Sequence, residues 1–283
     1  MTSTIGVIGS GTMGSGIAEL AALAGFDVIL NDISSDALRS AMLRIKAELQ
    51  KSVEKGETTA IEATETLTHI RPRHAFNDLG AADVIIEAVA EDLPMKKDIF
   101  RRLDLIVAPG AILATNTSSL SVSDIAATTN TPDSVVGMHF FNPPTRMKLV
   151  EIVRGAQTSD ETISKVRELA LAMGKTPVFC RDTPGFIVNR VARLFYGEAL
   201  RLLGEGVAEV PEIDRIVRES CGFRMGPFEL MDLIGIDVNY AVTRSVYEQF
   251  SREPRFEPHP IQRRMVRAGT LGRKTKKGFY PYD

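Results

Sequence analysis

The first 32 residues constrain the fold of this chain more than any other stretch. From Thr4 to Asp32 they read TIGVIGSGTMGSGIAELAALAGFDVILND. A short apolar run of strand type ends in a glycine-rich turn, and a segment with apolar residues at helical spacing follows. A second apolar run then ends in an acidic residue. This order of strand, glycine turn, helix, strand and acid predicts a dinucleotide-binding βαβ unit.

Each residue type in the turn has a physical role in holding a dinucleotide. Gly9 permits the tight turn, and Gly11 lets the backbone approach a pyrophosphate because glycine has no Cβ atom. Gly14 allows the helix to pack closely on the strand. The turn also contains Thr12 and Met13, and the helix N-terminus here offers free N–H groups to phosphates.

The acid at the end of the second strand indicates which dinucleotide is bound. Asp32 can accept hydrogen bonds from the adenosine ribose hydroxyls, and its charge would repel a 2′-phosphate. NAD is therefore favoured over NADP. The alternative is a glycine-rich turn beside a solvent-facing acid, but the strands and helix that the motif requires are present on both sides.

A helical pair is predicted at about residues 35–66, where a doubly wound chain needs only one helix before its next strand. SDALRSAMLRIKAELQKSVEKG has the pattern of one amphipathic helix, and TAIEATETL that of a second. The first helix carries Arg44, Lys46, Lys51 and Lys55. A solvated helix face is the default interpretation of these cations, and contact with a phosphate-bearing substrate is the alternative.

Polar residues follow a later predicted strand at the edge where doubly wound sheets hold their ligands. The strand in GAILATNTSSL runs into Asn116, Thr117, Ser118 and Ser119. Ordinary turn chemistry explains this composition equally well. The stretch taken alone leaves both interpretations open.

Two titratable residues lie inside apolar runs that are joined by an Asn-Pro-Pro turn. His139 lies in VVGMHFF and Glu151 lies in MKLVEIVRG. A lone histidine on an apolar strand is usually a satisfied core residue, but an unpaired buried carboxylate is costly. If the turn folds the chain back, Glu151 can accept the proton of one ring nitrogen and leave the other for proton transfer. Beside a nicotinamide cofactor, such a pair suits the oxidation of an alcohol.

Composition limits the remaining classes of function. The 283 residues carry a net charge of −2, which gives no reason to expect a nucleic acid or a membrane surface as partner. Cys180 and Cys221 form no metal or redox spacing, so no metal is predicted and a reducing, cytoplasmic setting is the simple interpretation.

The pattern changes from strands to helices after RDTPGF at residues 181–186. We therefore predict an NAD-binding domain at residues 1–183 and a helical domain for substrate binding and dimerisation at residues 184–283. The helical faces are apolar enough to suggest a covering partner, although packing on the N-terminal domain alone is the alternative.

The motifs in this order resemble the NAD-dependent L-3-hydroxyacyl-CoA dehydrogenases, most closely the bacterial 3-hydroxybutyryl-CoA type. They are GSGTMG, NTSSL, HFFNPP, LVE, DTPGFIVNR, GPFELMDLIGID and GRKTKKGFY. The resemblance spans essentially the whole chain. It departs from the family at two places. Lys276–Lys277 lie where relatives often have a small or uncharged residue after the threonine, and Arg224 lies where a proline is common. Arg224 could alter the acyl end of the pocket, but a surface change is the simpler reading.

The resemblance implies an N-terminal Rossmann-type doubly wound sheet, an all-helical C-terminal domain and a homodimer formed through that domain. It implies His139 as the catalytic base, Glu151 as its orienting partner, and Ser118 and Asn189 as contacts of the reacting oxygen. An acyl-CoA is the implied substrate, with Lys55 of the helical pair as a contact for coenzyme A phosphates.

The resemblance also extends the predicted NAD site beyond the glycine turn. The additional contacts implied are Glu91, Lys96, Ser118, Asn142 and Lys274. The implied reaction is the reversible oxidation of an (S)-3-hydroxyacyl-CoA, with 3-hydroxybutyryl-CoA the expected substrate. Two alternatives are a dehydrogenase of a small hydroxy acid or sugar acid, and a non-catalytic NAD-binding structural protein.

Overall fold

The computed structural model describes residues 3–283. The chain forms two compact units, of which the first ends at Asp182 and the second spans Thr183–Asp283. The first unit is a sheet flanked by helices, and the second is helical. This architecture confirms the predicted doubly wound sheet, the inserted helical pair and the helical C-terminal part.

The sheet of the first unit has eight strands in the order β3-β2-β1-β4-β5-β6-β7-β8. The strands are β1 (Thr4–Ile8), β2 (Asp27–Asn31), β3 (Ile70–Arg73), β4 (Val84–Glu87), β5 (Ile112–Thr115), β6 (Val135–Phe140), β7 (Leu149–Arg154) and β8 (Thr176–Arg181). All neighbours pair in parallel except β6 and β7. The order reverses beside β1, so the carboxyl ends of β1 and β4 flank the crevice where such sheets bind ligands.

Helices cover the sheet and connect its parallel strands. They are α1 (Thr12–Leu23), α2 (Ser35–Glu54), α3 (Ala60–His69), α4 (Leu93–Leu103), α5 (Val122–Ala126) and α6 (Asp160–Ala172). Side-chain caps fix several of their starts, including Ser34 before α2, Asp92 before α4 and a Thr59–Glu62 capping box at α3. Such caps satisfy N–H groups that have no partner within the helix.

The helical pair formed by α2 and α3 packs on α1 through its apolar face. Leu38, Ala41, Ile45 and Leu49 recur at helical spacing in α2 and belong to the same buried core as β1 and α1. The opposite face of α2 remains polar. The α3 helix continues past the predicted end at residue 66, because β3 begins only at Ile70.

The loop at residues 141–148 reverses the chain between β6 and β7, which pair in antiparallel orientation. The β6 strand is buried along its whole length, and β7 runs back beside it with His139 directly opposite Glu151. Residues directly opposite in an antiparallel pair project their side chains from the same face. The turn therefore determines that these two side chains meet.

The second unit contains five α-helices, which are α7 (Val188–Gly204), α8 (Val210–Cys221), α9 (Pro227–Ile234), α10 (Ile236–Gln249) and α11 (Pro260–Ala268). Its core includes Tyr196, Leu200, Phe228 and Met231. Asp232 in α9 accepts backbone hydrogen bonds from the C-terminal segment at Phe279 and Tyr280. Throughout residues 3–283, no helix is long and apolar enough to cross a membrane.

Candidate active site

The glycine turn between β1 and α1 has the close contacts that its sequence predicts. Gly9 adopts a φ of +92°, which is favoured for glycine, and its backbone N–H donates to the carbonyl of Asn31 at 2.9 Å. A Cβ atom at Gly14 would overlap the carbonyl oxygen of Gly9. By contrast, no atom of residues 3–283 lies within 4 Å of a Cβ placed on Gly11. Gly14 therefore serves internal packing, whereas Gly11 leaves open space above the turn.

The N-terminus of α1 faces this open space. Gly11 occupies the N-cap position with no side-chain cap, and the first turn contains no acidic residue. The first N–H groups of a helix have no partner within it, and the helix dipole gives them partial positive charge. The turn is thus suited to the pyrophosphate of a dinucleotide, with Thr12 and Met13 at its edge.

Asp32 lies immediately after β2 and is tied to the same turn. One of its carboxylate oxygens accepts from the backbone N–H and the hydroxyl of Ser10, both at 2.8 Å, and the other accepts from Ser34 N at 3.0 Å. Burial alone would raise the pKa of Asp32. Hydrogen bonds from Ser10 and Ser34, with the charge of His74, outweigh it and hold the pKa below its usual value. Asp32 is therefore a fixed anion, which fits a ribose and disfavours a 2′-phosphate.

A buried ion pair links the end of β4 to α4. Lys96 and Glu87 are 1 % and 0 % exposed, and their charged groups lie 2.7 Å apart. Glu87 also accepts from Val89 N and from the Thr115 hydroxyl, each at 2.7 Å. These contacts satisfy both carboxylate oxygens and fix the carboxyl ends of β4 and β5 beside the glycine turn.

Glu91 connects this pair to the turn after β5. It lies 3.6 Å from the ammonium group of Lys96. Its other oxygen accepts from the Thr117 hydroxyl at 2.7 Å, and from the backbone N–H and hydroxyl of Ser118 at 2.8 and 3.1 Å. The predicted site residues Glu91, Lys96 and Ser118 therefore form one network, and Asn116 extends it by accepting from Phe140 N at 2.9 Å.

His139 and Glu151 form the buried pair predicted from the two apolar runs. Nδ1 of His139 lies 2.7 Å from Oε2 of Glu151, and the side chains are only 7 % and 1 % exposed. An ionised carboxylate accepts the Nδ1 proton, which makes Nε2 the nitrogen for proton exchange. Phe141 packs at a tilt against the imidazole with ring centroids 4.5 Å apart. The geometry is that of a base held by an orienting acid.

The loop after β6 is held in place by a buried lysine. Lys175 donates to the carbonyls of Pro144 and Met147 at 2.5 and 2.9 Å, and burial lowers the pKa of its ammonium group. The loop begins at Asn142, which precedes a cis peptide bond to Pro143. Asn142 is three residues beyond His139 in the sequence.

A cavity of about 510 Å³ lies between α1, α2 and residues 142–146 of this loop. Asn142 and Thr12 line it, as do the buried carboxyl group of Glu19 and the carboxylate of Glu48. Its four cations are Arg44, Lys51, Lys55 and Arg146. Lys55 is exposed and lines this cavity, and its contact with a substrate phosphate stays a prediction.

Two predicted site residues belong to the second unit. Asn189 lies in the first turn of α7, and Lys274 lies 2.5 Å from the carboxylate of Asp237 at the start of α10. Their roles in catalysis and in cofactor binding stay predictions.

Three residues that support the site were missed from the sequence. Glu19 and Glu87 each interrupt an apolar stretch, GIAELAALA and DVIIEAV, and that interruption was the available signal. Lys175 gave no signal, because a lysine between a glycine and a strand is ordinary. Only its two carbonyl partners identify it.

Comparison with known proteins gives matches across both units. The model for the NAD binding domain of 3-hydroxyacyl-CoA dehydrogenase matches residues 4–183, and that for the C-terminal domain matches residues 185–282. A protein of Escherichia coli (strain K12) named 3-hydroxyadipyl-CoA dehydrogenase is 49 % identical over 99 % of the chain. The chain spans 59 % of the length of that relative.

Other relatives match along their whole length. The 3-hydroxybutyryl-CoA dehydrogenase of Clostridioides difficile is 43 % identical over 99 % of each chain. The crystal structure of (S)-3-hydroxybutyryl-CoA dehydrogenase from Ralstonia eutropha superimposes with a TM-score of 0.95 at 40 % identity, covering 100 % of both chains.

Proposed function

The chain belongs to the family of NAD-dependent 3-hydroxyacyl-CoA dehydrogenases, and we propose that it interconverts (S)-3-hydroxyacyl-CoA and 3-ketoacyl-CoA with 3-hydroxybutyryl-CoA as substrate. Both domain models of the family match, together covering residues 4–183 and 185–282. NAD is the cofactor, since the first match is to the family's NAD-binding domain and the glycine turn and Asp32 fit a dinucleotide. We assign residues 1–183 to NAD binding and residues 184–283 to substrate binding and dimerisation.

The observation that carries the proposed chemistry is the buried 2.7 Å contact between His139 and Glu151. When bound, NAD supplies the hydride acceptor for alcohol oxidation. Nε2 of His139 takes the hydroxyl proton of the substrate, and Glu151 balances the charge of the imidazolium that results. In ketone reduction the imidazolium returns this proton. The pair therefore serves as base in one direction and acid in the other.

Ser118 and Asn189 are the proposed contacts of the reacting oxygen. The hydroxyl of Ser118 is oriented by Glu91, and Ser118 follows the strand next to that of His139. Asn189 comes from the first turn of α7 in the second unit. Glu91, Lys96, Asn142 and Lys274 are proposed as further contacts of NAD.

The cavity beside α2 is the proposed site of the coenzyme A portion of the substrate. Its cations, including Lys55, offer positive charge to phosphate groups. Asn142, a proposed NAD contact, also lines this cavity and lies three residues after His139 in the sequence. Lys55 is accordingly a substrate contact in this proposal.

The acyl tail is proposed to be short and uncharged, as in the names of the relatives from Clostridioides difficile and Ralstonia eutropha. The name of the Escherichia coli relative makes a tail with a terminal carboxylate the second candidate. Such a tail requires a cation in its pocket, and Arg224, an exposed residue after α8, is the cation that the sequence offers.

A homodimer formed through the second unit is part of the proposal. Large apolar side chains of this unit are exposed, including Val191 at 63 %, Ile216 at 61 % and Phe223 at 51 %. A second copy would bury such surface. A cytoplasmic location stays a prediction.

A nicotinamide absorbance assay tests the function. Reduction should be measured with NADH and acetoacetyl-CoA, 3-oxoadipyl-CoA, or a small free keto acid. We expect acetoacetyl-CoA to have the highest kcat/KM. A preference for 3-oxoadipyl-CoA would indicate an acyl tail that ends in a carboxylate. A preference for the free keto acid would refute the proposal that the substrate is an acyl-CoA. NADH binding without turnover of any of them would support a non-catalytic role.

A further inference from the structure

Glu19 is a buried acid in a helix that is otherwise uncharged. The α1 segment TMGSGIAELAAL contains this one charged side chain. It is only 5 % exposed, and it lines the cavity of 510 Å³ together with Thr12, Ser15 and Gly16 of the same helix. Gly16 allows the loop to approach, since a Cβ atom there would lie 2.9 Å from Pro144 Cδ.

The carboxyl group of Glu19 has no hydrogen bond or ion pair within residues 3–283. Buried polar groups nearly always have a partner, and an unsatisfied one costs free energy. The two other buried acids of the site, Glu87 and Glu151, are both paired. The oxygens of Glu19 are not among the described side-chain atoms that are shut off from solvent without a partner, so they are accessible from the cavity. A ligand that enters the cavity can therefore supply a partner for this carboxyl group.

The cavity is lined by four cations and by a buried acid. Lys51, Lys55 and Arg146 are exposed residues of its lining, whereas Arg44 donates to the Ser15 hydroxyl at 2.8 Å and to the Ser10 carbonyl at 3.4 Å. Glu19 lies buried on α1. Lys51 and Arg146 lie 2.7 and 4.0 Å from the carboxylate of Glu48, so part of their charge is balanced by this second acid and not by Glu19. A matching ligand therefore carries anionic groups for the cations and an uncharged hydrogen-bonding group for Glu19.

We propose that Glu19 is a specificity-determining residue whose protonated carboxyl group hydrogen-bonds an amide in the coenzyme A arm of the substrate. The inference rests on the proposed function, since it concerns the same substrate. A carboxylic acid offers one O–H donor and retains acceptor capacity, which an amide group complements with its C=O and N–H. The arm has its phosphates at one end and amides between them and the thioester, so one ligand carries both kinds of group that this lining can bind.

The protonation of Glu19 makes this contact sensitive to pH. Burial, followed by the charge of Glu48, raises the pKa of Glu19 to about 7, against the opposing effect of Arg146. The charged groups that face it are Arg44, Glu48, Lys51 and Lys55 from α2 and Arg146 from the loop. In residues 3–283, no titratable side chain of α3 or of the strands lines this cavity. The amide contact is thus made below about pH 7 and weakens above it.

The affinity for acetoacetyl-CoA in the presence of NAD⁺ tests the proposal without turnover, because both compounds are oxidised. Dissociation constants should be measured between pH 6 and pH 8.5 for the wild type, Glu19→Gln and Glu19→Ala. The glutamine amide imitates the protonated acid at every pH. Losing one hydrogen bond should weaken binding roughly three- to tenfold.

The expected pattern is specific to a protonated contact. Wild-type binding weakens above about pH 7, Glu19→Gln binds tightly throughout, and Glu19→Ala binds weakly throughout. Glu54→Gln is the matched control, because Glu54 is exposed on α2 and does not line the cavity. The ethyl thioester of acetoacetate has no amide, so its KM should be the same in all four proteins.

Two outcomes would overturn the proposal. One is equal affinity of wild type, Glu19→Gln and Glu19→Ala for acetoacetyl-CoA at each pH. The other is equal impairment with the ethyl thioester, or weakened NADH binding, because either would indicate a structural defect. Failure of the wild type to reduce acetoacetyl-CoA would refute the proposed function itself, whereas normal reduction with unaffected variants would refute only the role of Glu19.

Discussion

Replacing Gly11 by alanine should separate cofactor binding from fold stability, because the two effects have opposite signs. In the described part of the chain, no atom lies within 4 Å of the added methyl group, and the backbone at Gly11 has a φ of −65°, which alanine adopts readily. A compatible Gly→Ala change restricts the unfolded chain and stabilises by about 0.4–1 kcal/mol. The thermal midpoint should stay constant or rise by a few degrees.

The same methyl group should weaken NADH binding. It would occupy the open space in which the pyrophosphate approaches the backbone, and forcing an extra methyl group into a filled site costs about 1–3 kcal/mol. This corresponds to a loss of affinity of roughly 5- to 150-fold. NADH fluorescence titration measures the affinity, and scanning calorimetry measures the thermal midpoint.

Gly25 provides a control with the reverse pattern. It also has no neighbour within 4 Å of an added Cβ, but its φ is +84°. Alanine there should cost about 1–2 kcal/mol in stability. Gly25 follows the C-terminal end of α1, and the 12 residues of this helix separate it from the glycine turn by roughly 18 Å. NADH affinity should therefore not change. Wild-type NADH affinity in Gly11→Ala would refute the placement of the pyrophosphate at this turn.

Four further predictions concern charged or polar site residues. His139→Gln should reduce kcat by roughly 10²- to 10⁴-fold with NADH affinity retained; a loss below about tenfold would indicate a packed core histidine. Asp32→Ser should narrow the preference for NADH over NADPH, measured as a ratio of kcat/KM, and an unchanged ratio would remove Asp32 from cofactor selection. Lys96→Met should destabilise by about 3–5 kcal/mol, because Glu87 is left buried without its counter-ion; an unaltered thermal midpoint would contradict this. Glu19→Gln should raise the thermal midpoint at pH 8 but not near pH 4. The pKa of about 7 in the folded state lies above the usual glutamate value of 4.5, so the wild type loses up to about 3 kcal/mol of stability as pH rises between these values. Equal midpoints at pH 8 would contradict the burial of an ionised Glu19.

The local patterns of the chain were sufficient to predict its first βαβ unit. GSGTMG and Asp32 lie where strand and helix periodicity placed them, since hydrophobic spacing reports which residues face a core. The contact between His139 and Glu151 was also predictable. Two apolar runs joined by a short Asn-Pro-Pro turn leave few arrangements other than an antiparallel pair.

The sequence by itself determined the class of fold, the family and the kind of cofactor, because each depends on short patterns read along one segment. Only the tertiary structure decided which charges are paired. Lys96 and Glu87 are nine residues apart in sequence, yet they become a buried pair only when α4 packs against the end of β4. Lys175 and the Pro144 carbonyl are 31 residues apart, and Glu19 is isolated only because α2 and the loop close over α1. Burial and pairing depend on which elements pack together, and hydrophobic periodicity identifies the buried face of an element but not the residue that it will meet.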